Sequence, residues 1–226
     1  MSKIISVSVM CSDLMNFGRD IDTLKQYGVD WLHVDIMDAH FVPNLTFGPD
    51  AVRAMQRYTD MPLDIHLMVT DPELMFGRIE LRPGDLFTVH VELNRDYTEL
   101  AKAVHEKGAK FGLAVNPDTP VEALKPYVGL FDTVTLMTVY PGYAGAKLVE
   151  GIMDKVGVAR KWLDANGCSE VMISVDGSVS AERAAYMSSL GADIFVGGTA
   201  GIYRKGMQLS ETIPAFRAAI QPDSNQ

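Results

Sequence analysis

The chain has 226 residues, 47% of them hydrophobic, enough to bury one substantial core in a domain of α/β-barrel size. Its net charge of −9 argues against a nucleic-acid or anionic-membrane surface, which needs a basic patch. A small phosphorylated ligand remains compatible, because a few backbone N–H groups can hold a phosphate locally. Cys11 and Cys168 are too few and too far apart in sequence for a disulfide scaffold. No long apolar segment with a cleavage site opens the sequence, and no run reaches the roughly eighteen apolar residues of a membrane-spanning helix. A cytoplasmic location is therefore expected.

Strand-like apolar runs alternate with helical patterns throughout. The first strand is expected over Ile4–Val9, followed by a helix over Asp13–Tyr27 that Ser12 or Asp13 can cap. Trp31–Ile36 and Asp50–Tyr58 form the second pair, Leu63–Leu67 and Pro72–Glu80 the third, Leu86–His90 and Thr98–Lys107 the fourth. The fifth strand, Lys110–Val115, precedes a helix over Val121–Tyr127 that Thr119-Pro120 opens. Thr133–Met137 pairs with Val149–Ala165, and Val171–Val175 with Ala181–Leu190, which Ser180 precedes. Ile194–Val196 and Gln208–Ala219 complete the series, while Gly28, Gly108, Gly167 and Gly191 stand where helices should end.

Eight strand–helix units without a linker predict an α/β fold, a single-domain (β/α)₈ TIM barrel. The catalytic barrel is expected over residues 1–221, with Pro222–Gln226 as a frayed tail. A doubly wound open sheet is the competitor. It is disfavoured because the chemistry-bearing residues fall at the ends of strands 1, 2, 3, 6, 7 and 8, which only a closed barrel brings to one rim.

Four of those residues stand out. His33 and Asp35 are two apart on one strand and so share a face, while His66 and Asp176 lie at the ends of two others. A lone buried histidine is usually a hydrogen-bonded core residue, but two imidazoles and two carboxylates converging on one point suit a divalent transition metal such as Zn²⁺. The carboxylates can also move protons. Parity places Asp64 on the face of His66, one step deeper, as a support for the site or as part of a polar interior layer. Met37, Met68 and Met137 are either gap fillers or an apolar roof over the metal. Three turns can hold phosphate: Pro141-Gly142-Tyr143-Ala144-Gly145 after strand 6, Gly177-Ser178 after strand 7, and Gly197-Gly198-Thr199-Ala200-Gly201 after strand 8. Their N–H groups can converge without any basic side chain.

The stretches His33-Val-Asp-Ile-Met-Asp-Ala-His-Phe-Val-Pro-Asn44 and Asp64-Ile-His-Leu-Met68 resemble the signatures of the ribulose-phosphate 3-epimerase family. Asn116-Pro-Asp-Thr-Pro120, Met137-Thr-Val-Tyr-Pro-Gly142 and Val175-Asp-Gly177 extend the resemblance over nearly the whole chain. Ser6–Leu14, Asp176-Gly-Ser178 and Gly198-Thr-Ala-Gly201 are more similar to its D-allulose-6-phosphate 3-epimerase branch. The resemblance implies a (β/α)₈ homo-oligomer that inverts C3 of a ketose phosphate through an enediolate. The favoured pair is D-allulose 6-phosphate and D-fructose 6-phosphate; D-ribulose 5-phosphate and D-xylulose 5-phosphate, or a shorter ketose phosphate, are the alternatives. It implies one divalent ion per subunit on His33, Asp35, His66 and Asp176, zinc first, with iron, manganese, cobalt or magnesium in its place otherwise. Asp35 and Asp176 would be the acid/base pair. Ser8 and His66 would contact substrate, and Gly142, Tyr143, Ala144, Gly145, Gly177, Ser178, Gly198 and Thr199 would bind its phosphate end. Three departures mark this chain: Ala39 replaces a family glycine, Tyr140 a polar residue, and Ala146 a glutamine. Related decarboxylases and aldol-type synthases carry Asp-x-Lys where this chain has Asp35-Ile36-Met37. A non-catalytic barrel that binds a sugar phosphate is the alternative of another class.

Overall fold

The computed structural model describes residues 3–221, so the tail expected over Pro222–Gln226 lies outside the described residues. Eight parallel strands close into a barrel in chain order, with β8 hydrogen-bonded back to β1. They are β1 (Ile4–Ser8), β2 (Trp31–Met37), β3 (Leu63–Met68), β4 (Leu86–His90), β5 (Lys110–Val115), β6 (Thr133–Met137), β7 (Met172–Asp176) and β8 (Ile194–Gly197). Every residue of β2 and β3 is buried, as expected of strands covered on both faces. The outer layer holds α1 (Phe17–Gln26), α2 (Pro49–Tyr58), α3 (Pro72–Phe76), α4 (Thr98–Glu106), α5 (Lys155–Ala165), α6 (Ala181–Ser189) and α7 (Leu209–Ile220). Each turns an apolar stripe inward: α1 buries Ile21 and Leu24, and α2 buries Val52 and Met55. One such fully buried side chain contributes on the order of 1.5–3 kcal/mol.

Four helices differ from expectation, each for a local reason. The first begins as a 3₁₀ turn over Leu14–Asn16, which the Asp13 carboxylate caps by accepting from Met15 N–H, and turns α-helical only at Phe17. The third stops at Phe76. Beyond it the chain turns, Ile79 N–H donating to Met75 O at 3.0 Å, and buries Ile79 and Leu81 with Glu80 exposed between them. Val121–Tyr127 is 3₁₀ throughout, with Pro126 inside it and so one backbone donor fewer. The segment expected over Val149–Ala165 breaks at Gly151, whose φ of +73° no right-handed helix accepts.

Strand register positions the site. On adjacent strands Ser8 pairs with His33 and His33 with Asp64, forming one row inside the barrel. One step nearer the C-terminal rim, Asp35 pairs with His66; a further step out, Met37 pairs with Met68. Across the barrel Met137 pairs with Asp176. The period-2 alternation thus stacks a hydrogen-bonding layer, a His/Asp layer and a methionine layer along the barrel axis.

Candidate active site

The four side chains meet at the C-terminal end of the barrel, one potential ligand atom from each lying within 4.8 Å of the others. His33 Nε2 is 3.2 Å from Asp35 Oδ1 and 3.6 Å from Asp176 Oδ2. His66 Nδ1 is 3.4 Å from Asp35 Oδ1 and 3.5 Å from Asp176 Oδ2. The first of these is a hydrogen bond, whereas the three longer ones are charge contacts, and buried His66 Nδ1 has no hydrogen-bond partner. A polar atom left so in a protein interior costs stability unless a ligand satisfies it. Two imidazoles, two carboxylates and that bare nitrogen fit a divalent cation.

Deeper groups orient the cluster. Asp64 Oδ2 lies 2.7 Å from His33 Nδ1 and accepts a 2.8 Å hydrogen bond from Ser6 Oγ, so His33 turns its Nε2 toward the cluster. Of the two readings open for Asp64, the supporting one holds. Ser8 Oγ donates to Asp35 Oδ2 at 2.7 Å, leaving Oδ1 for the centre. His66 Nε2 meets His90 Nε2 at 3.0 Å, and His90 Nδ1 meets Glu92 Oε2 at 2.9 Å.

The protonation equilibria follow from this packing. Burial works against a charged His33, but the carboxylates of Asp64 and Asp35 override it and raise its pKa well above the usual histidine range. Burial likewise opposes the Asp35 carboxylate, yet His33 and then His66 hold it far below the ordinary value. His66 is raised as well, since contacts with Asp176 and Asp35 outweigh its burial. His90 moves the other way: burial pushes it down to about 4 despite Glu92.

A cleft opens above the cluster. Ser8, Asp35 and Asp176 line its floor, while His33 and His66, 1% and 0% exposed, sit beneath. Gly142, Tyr143, Ala144, Gly145, Gly177, Ser178, Gly198 and Thr199 all line one side, so the three glycine turns converge as expected. Met37, Met68 and Met137 line it too, joined by Met10, which the sequence reading missed. A signal existed: Met10 follows Ser8 at the spacing by which Met37 follows Asp35 and Met68 follows His66.

Behind the Gly177-Ser178 turn, Arg183 Nη1 donates to both the carbonyl and the Oγ of Ser178, each at 2.7 Å. Ser178 itself adopts φ +50°. Arg183 was missed because it sits on α6, five residues past the turn it supports. The turns after β2 and β6 are also clasped together, Tyr143 OH donating to Pro43 O at 2.6 Å and Asn44 Nδ2 to Gly142 O at 2.7 Å. Ala39 adopts φ +60°, in the left-handed region that favours glycine, its N–H bonded to Asn44 O.

Fold and site together define a (β/α)₈ barrel with a candidate divalent-metal centre at its C-terminal rim, where barrel active sites form. Within that class the chain belongs to the ribulose-phosphate 3 epimerase family, whose sequence model matches residues 4–202. It is 36% identical over 222 residues to a ribulose-phosphate 3-epimerase of Rhodobacter capsulatus, covering 96% of this chain and 95% of that protein. With the Bacillus subtilis (strain 168) ribulose-phosphate 3-epimerase it shares 34% identity over 196 residues, 87% of this chain and 90% of the relative. The crystal structure of (S)-3-O-geranylgeranylglyceryl phosphate synthase from Thermoplasma acidophilum superposes with a TM-score of 0.64 at 14% identity, over 97% of this chain and 93% of that one. That last likeness is one of fold alone. Among the described residues no helix is long and apolar enough to cross a membrane.

Proposed function

We propose that this protein is a metal-dependent ketose-phosphate 3-epimerase, an isomerase. The observation that carries the reading is the convergence of His33, Asp35, His66 and Asp176 around a buried, unpartnered imidazole nitrogen. Family membership and the names of the relatives support the reaction class. His33 through Nε2, His66 through Nδ1, Asp35 through Oδ1 and Asp176 through Oδ2 would hold one divalent ion, and the imidazole pair favours zinc. Such an ion supplies Lewis-acid stabilisation of the negative charge that develops on substrate oxygens as the C3 proton leaves.

The chain's own residues do the rest. Asp35 and Asp176 approach the centre from β2 and β7, on different walls of the barrel, so substrate lying between them presents opposite faces of C3 to the two carboxylates. One removes the proton and the other returns one to the far face, which inverts the carbon. Asp176 is the more accessible, with 14% of its side chain exposed against 7% for Asp35. Met10, Met37, Met68 and Met137 shield the enediolate from water. The turns at Gly142–Gly145, Gly177-Ser178 and Gly198-Thr199 take the phosphate, and Arg183 orients Ser178 within that cradle.

The favoured substrate pair is D-allulose 6-phosphate and D-fructose 6-phosphate, on the residues Ser6–Leu14, Asp176–Ser178 and Gly198–Gly201. The names of the relatives favour a second reading, D-ribulose 5-phosphate and D-xylulose 5-phosphate. Turnover of ketose phosphates of four to six carbons, alongside the free ketoses, separates them. The six-carbon esters should give the highest kcat/KM, and free ketoses should bind far more weakly. Preference for the five-carbon esters would transfer the assignment to the second reading; equal kinetics with free sugars would refute the phosphate cradle.

A further inference from the structure

We propose that His90 and Glu92 are positioning residues that hold the His66 imidazole in the one tautomer able to present Nδ1 to a cation, an inference that rests on the metal reading above. His66 and His90 face each other Nε2 to Nε2 at 3.0 Å, so one nitrogen donates and the other accepts. If His90 were the neutral donor, its Nδ1 would carry a lone pair. That lone pair would lie 2.9 Å from Glu92 Oε2, an acceptor facing an acceptor. If His66 donates instead, the His90 proton sits on Nδ1 and points at Glu92, and every contact in the row is satisfied. The proton on His66 is then on Nε2, which leaves Nδ1 bare toward Asp35 and Asp176.

Glu92 cannot turn away from this duty. Its other oxygen accepts the Asn116 backbone N–H at 2.8 Å, and Lys155 Nζ pins that stretch through the carbonyls of Asn116, Pro117 and Thr119 at 2.8, 3.1 and 2.6 Å. His90 is fully buried, its carbonyl held by Tyr97 OH at 2.9 Å and its ring covered by Phe41 at a centroid distance of 4.7 Å. Asp64 does the corresponding work for His33 with one carboxylate; His66 is served at one remove, through a second imidazole. Outer partners that fix a ligating histidine in this way commonly change metal affinity by about 10–100-fold when replaced.

Glu92→Gln is the test, because a carboxamide cannot accept from both Asn116 N–H and His90 Nδ1–H. Zinc affinity, measured by competition with a chromophoric chelator, should fall about 10–100-fold. Two-bond ¹⁵N–¹H NMR of the zinc-loaded wild-type protein should place the single proton of His90 on Nδ1 and that of His66 on Nε2, a result independent of how well the variant folds. A His90 proton on Nε2, or a well-folded Glu92→Gln protein with zinc affinity within twofold of wild type, would overturn the relay while leaving the metal site standing. A wild-type protein that takes up no zinc at His66 would overturn the metal reading and the relay with it.

Discussion

Replacing Gly177 by alanine should damage both stability and the site, and its cost can be worked from the structure. Gly177 has φ +110°, where L residues are strained, and it joins Asp176 to Ser178. A Cβ there would stand 2.5 Å from Val139 Cγ2, 2.9 Å from its Cγ1 and 3.0 Å from its backbone nitrogen. No rotation of Val139 clears both γ-carbons and the backbone together. Backbone strain costs about 1–3 kcal/mol and overpacking a comparable amount, about 2–6 kcal/mol in all if the turn holds its place. In a domain of this size that lowers Tm by about 4–24 °C. The turn can relieve the clash only by moving, and an ångström of displacement at Asp176 costs about 10²-fold in turnover. Gly198→Ala is the internal comparison: its Cβ would meet only Cys11 Sγ, at 3.5 Å, so stability should hold within about 0.5 kcal/mol. Scanning calorimetry and steady-state kinetics on the two variants measure both effects. A Gly177→Ala protein as stable and active as wild type would refute the reasoning.

Ala39→Gly should raise stability by about 1 kcal/mol, since relief at φ +60° exceeds the added freedom of the unfolded chain; Tm should rise by about 2–4 °C, and a fall would contradict the strain argument. Asp38 is depressed to about 2: its partial burial is outweighed by the N–H groups of Thr70, Phe41 and His40. Because its folded pKa lies below the unfolded value of about 4, its contribution is complete above pH about 4 and is lost as pH falls toward 2. In urea titrations Asp38→Ala should therefore trail wild type by about 1–3 kcal/mol at neutral pH and converge with it near pH 2; a gap that persists there would exclude the carboxylate as its source. Arg183→Met should raise KM for the phosphorylated ketose about tenfold with a smaller effect on kcat, and an unchanged KM would remove Arg183 from the anion site.

The sequence made the barrel legible because strand-like apolar runs recur eight times and glycines stand just past the ends of four helices, and β4, β5 and β6 match their expected bounds residue for residue. Strand parity also sufficed to place His33, Asp35 and His66 on one interior face, and strand-end position to bring Asp176 to them. The helix ends were harder to read, since Gly151 and Pro126 act through local backbone geometry that an apolar stripe does not encode. Supporting residues were the least legible. Asp64 was visible by parity, yet only the 2.7 Å contact with His33 reveals what it does. His90 and Glu92 sit on and after a strand that carries no ligand, and Arg183 sits on a helix, so their roles arise from neighbours brought close by closure of the barrel.

The central claim is that one divalent ion, held by His33, Asp35, His66 and Asp176, is required for proton transfer at C3. Its most direct test is the exchange of the C3 hydrogen of a ketose phosphate with deuterated water, followed by NMR, as chelated protein is titrated with zinc. Exchange should be absent at the start, rise in proportion to added metal and break at one ion per chain, and the Asp176→Asn protein should bind the ion yet exchange slower by orders of magnitude. Full exchange by metal-free protein, or by Asp176→Asn, would contradict the account.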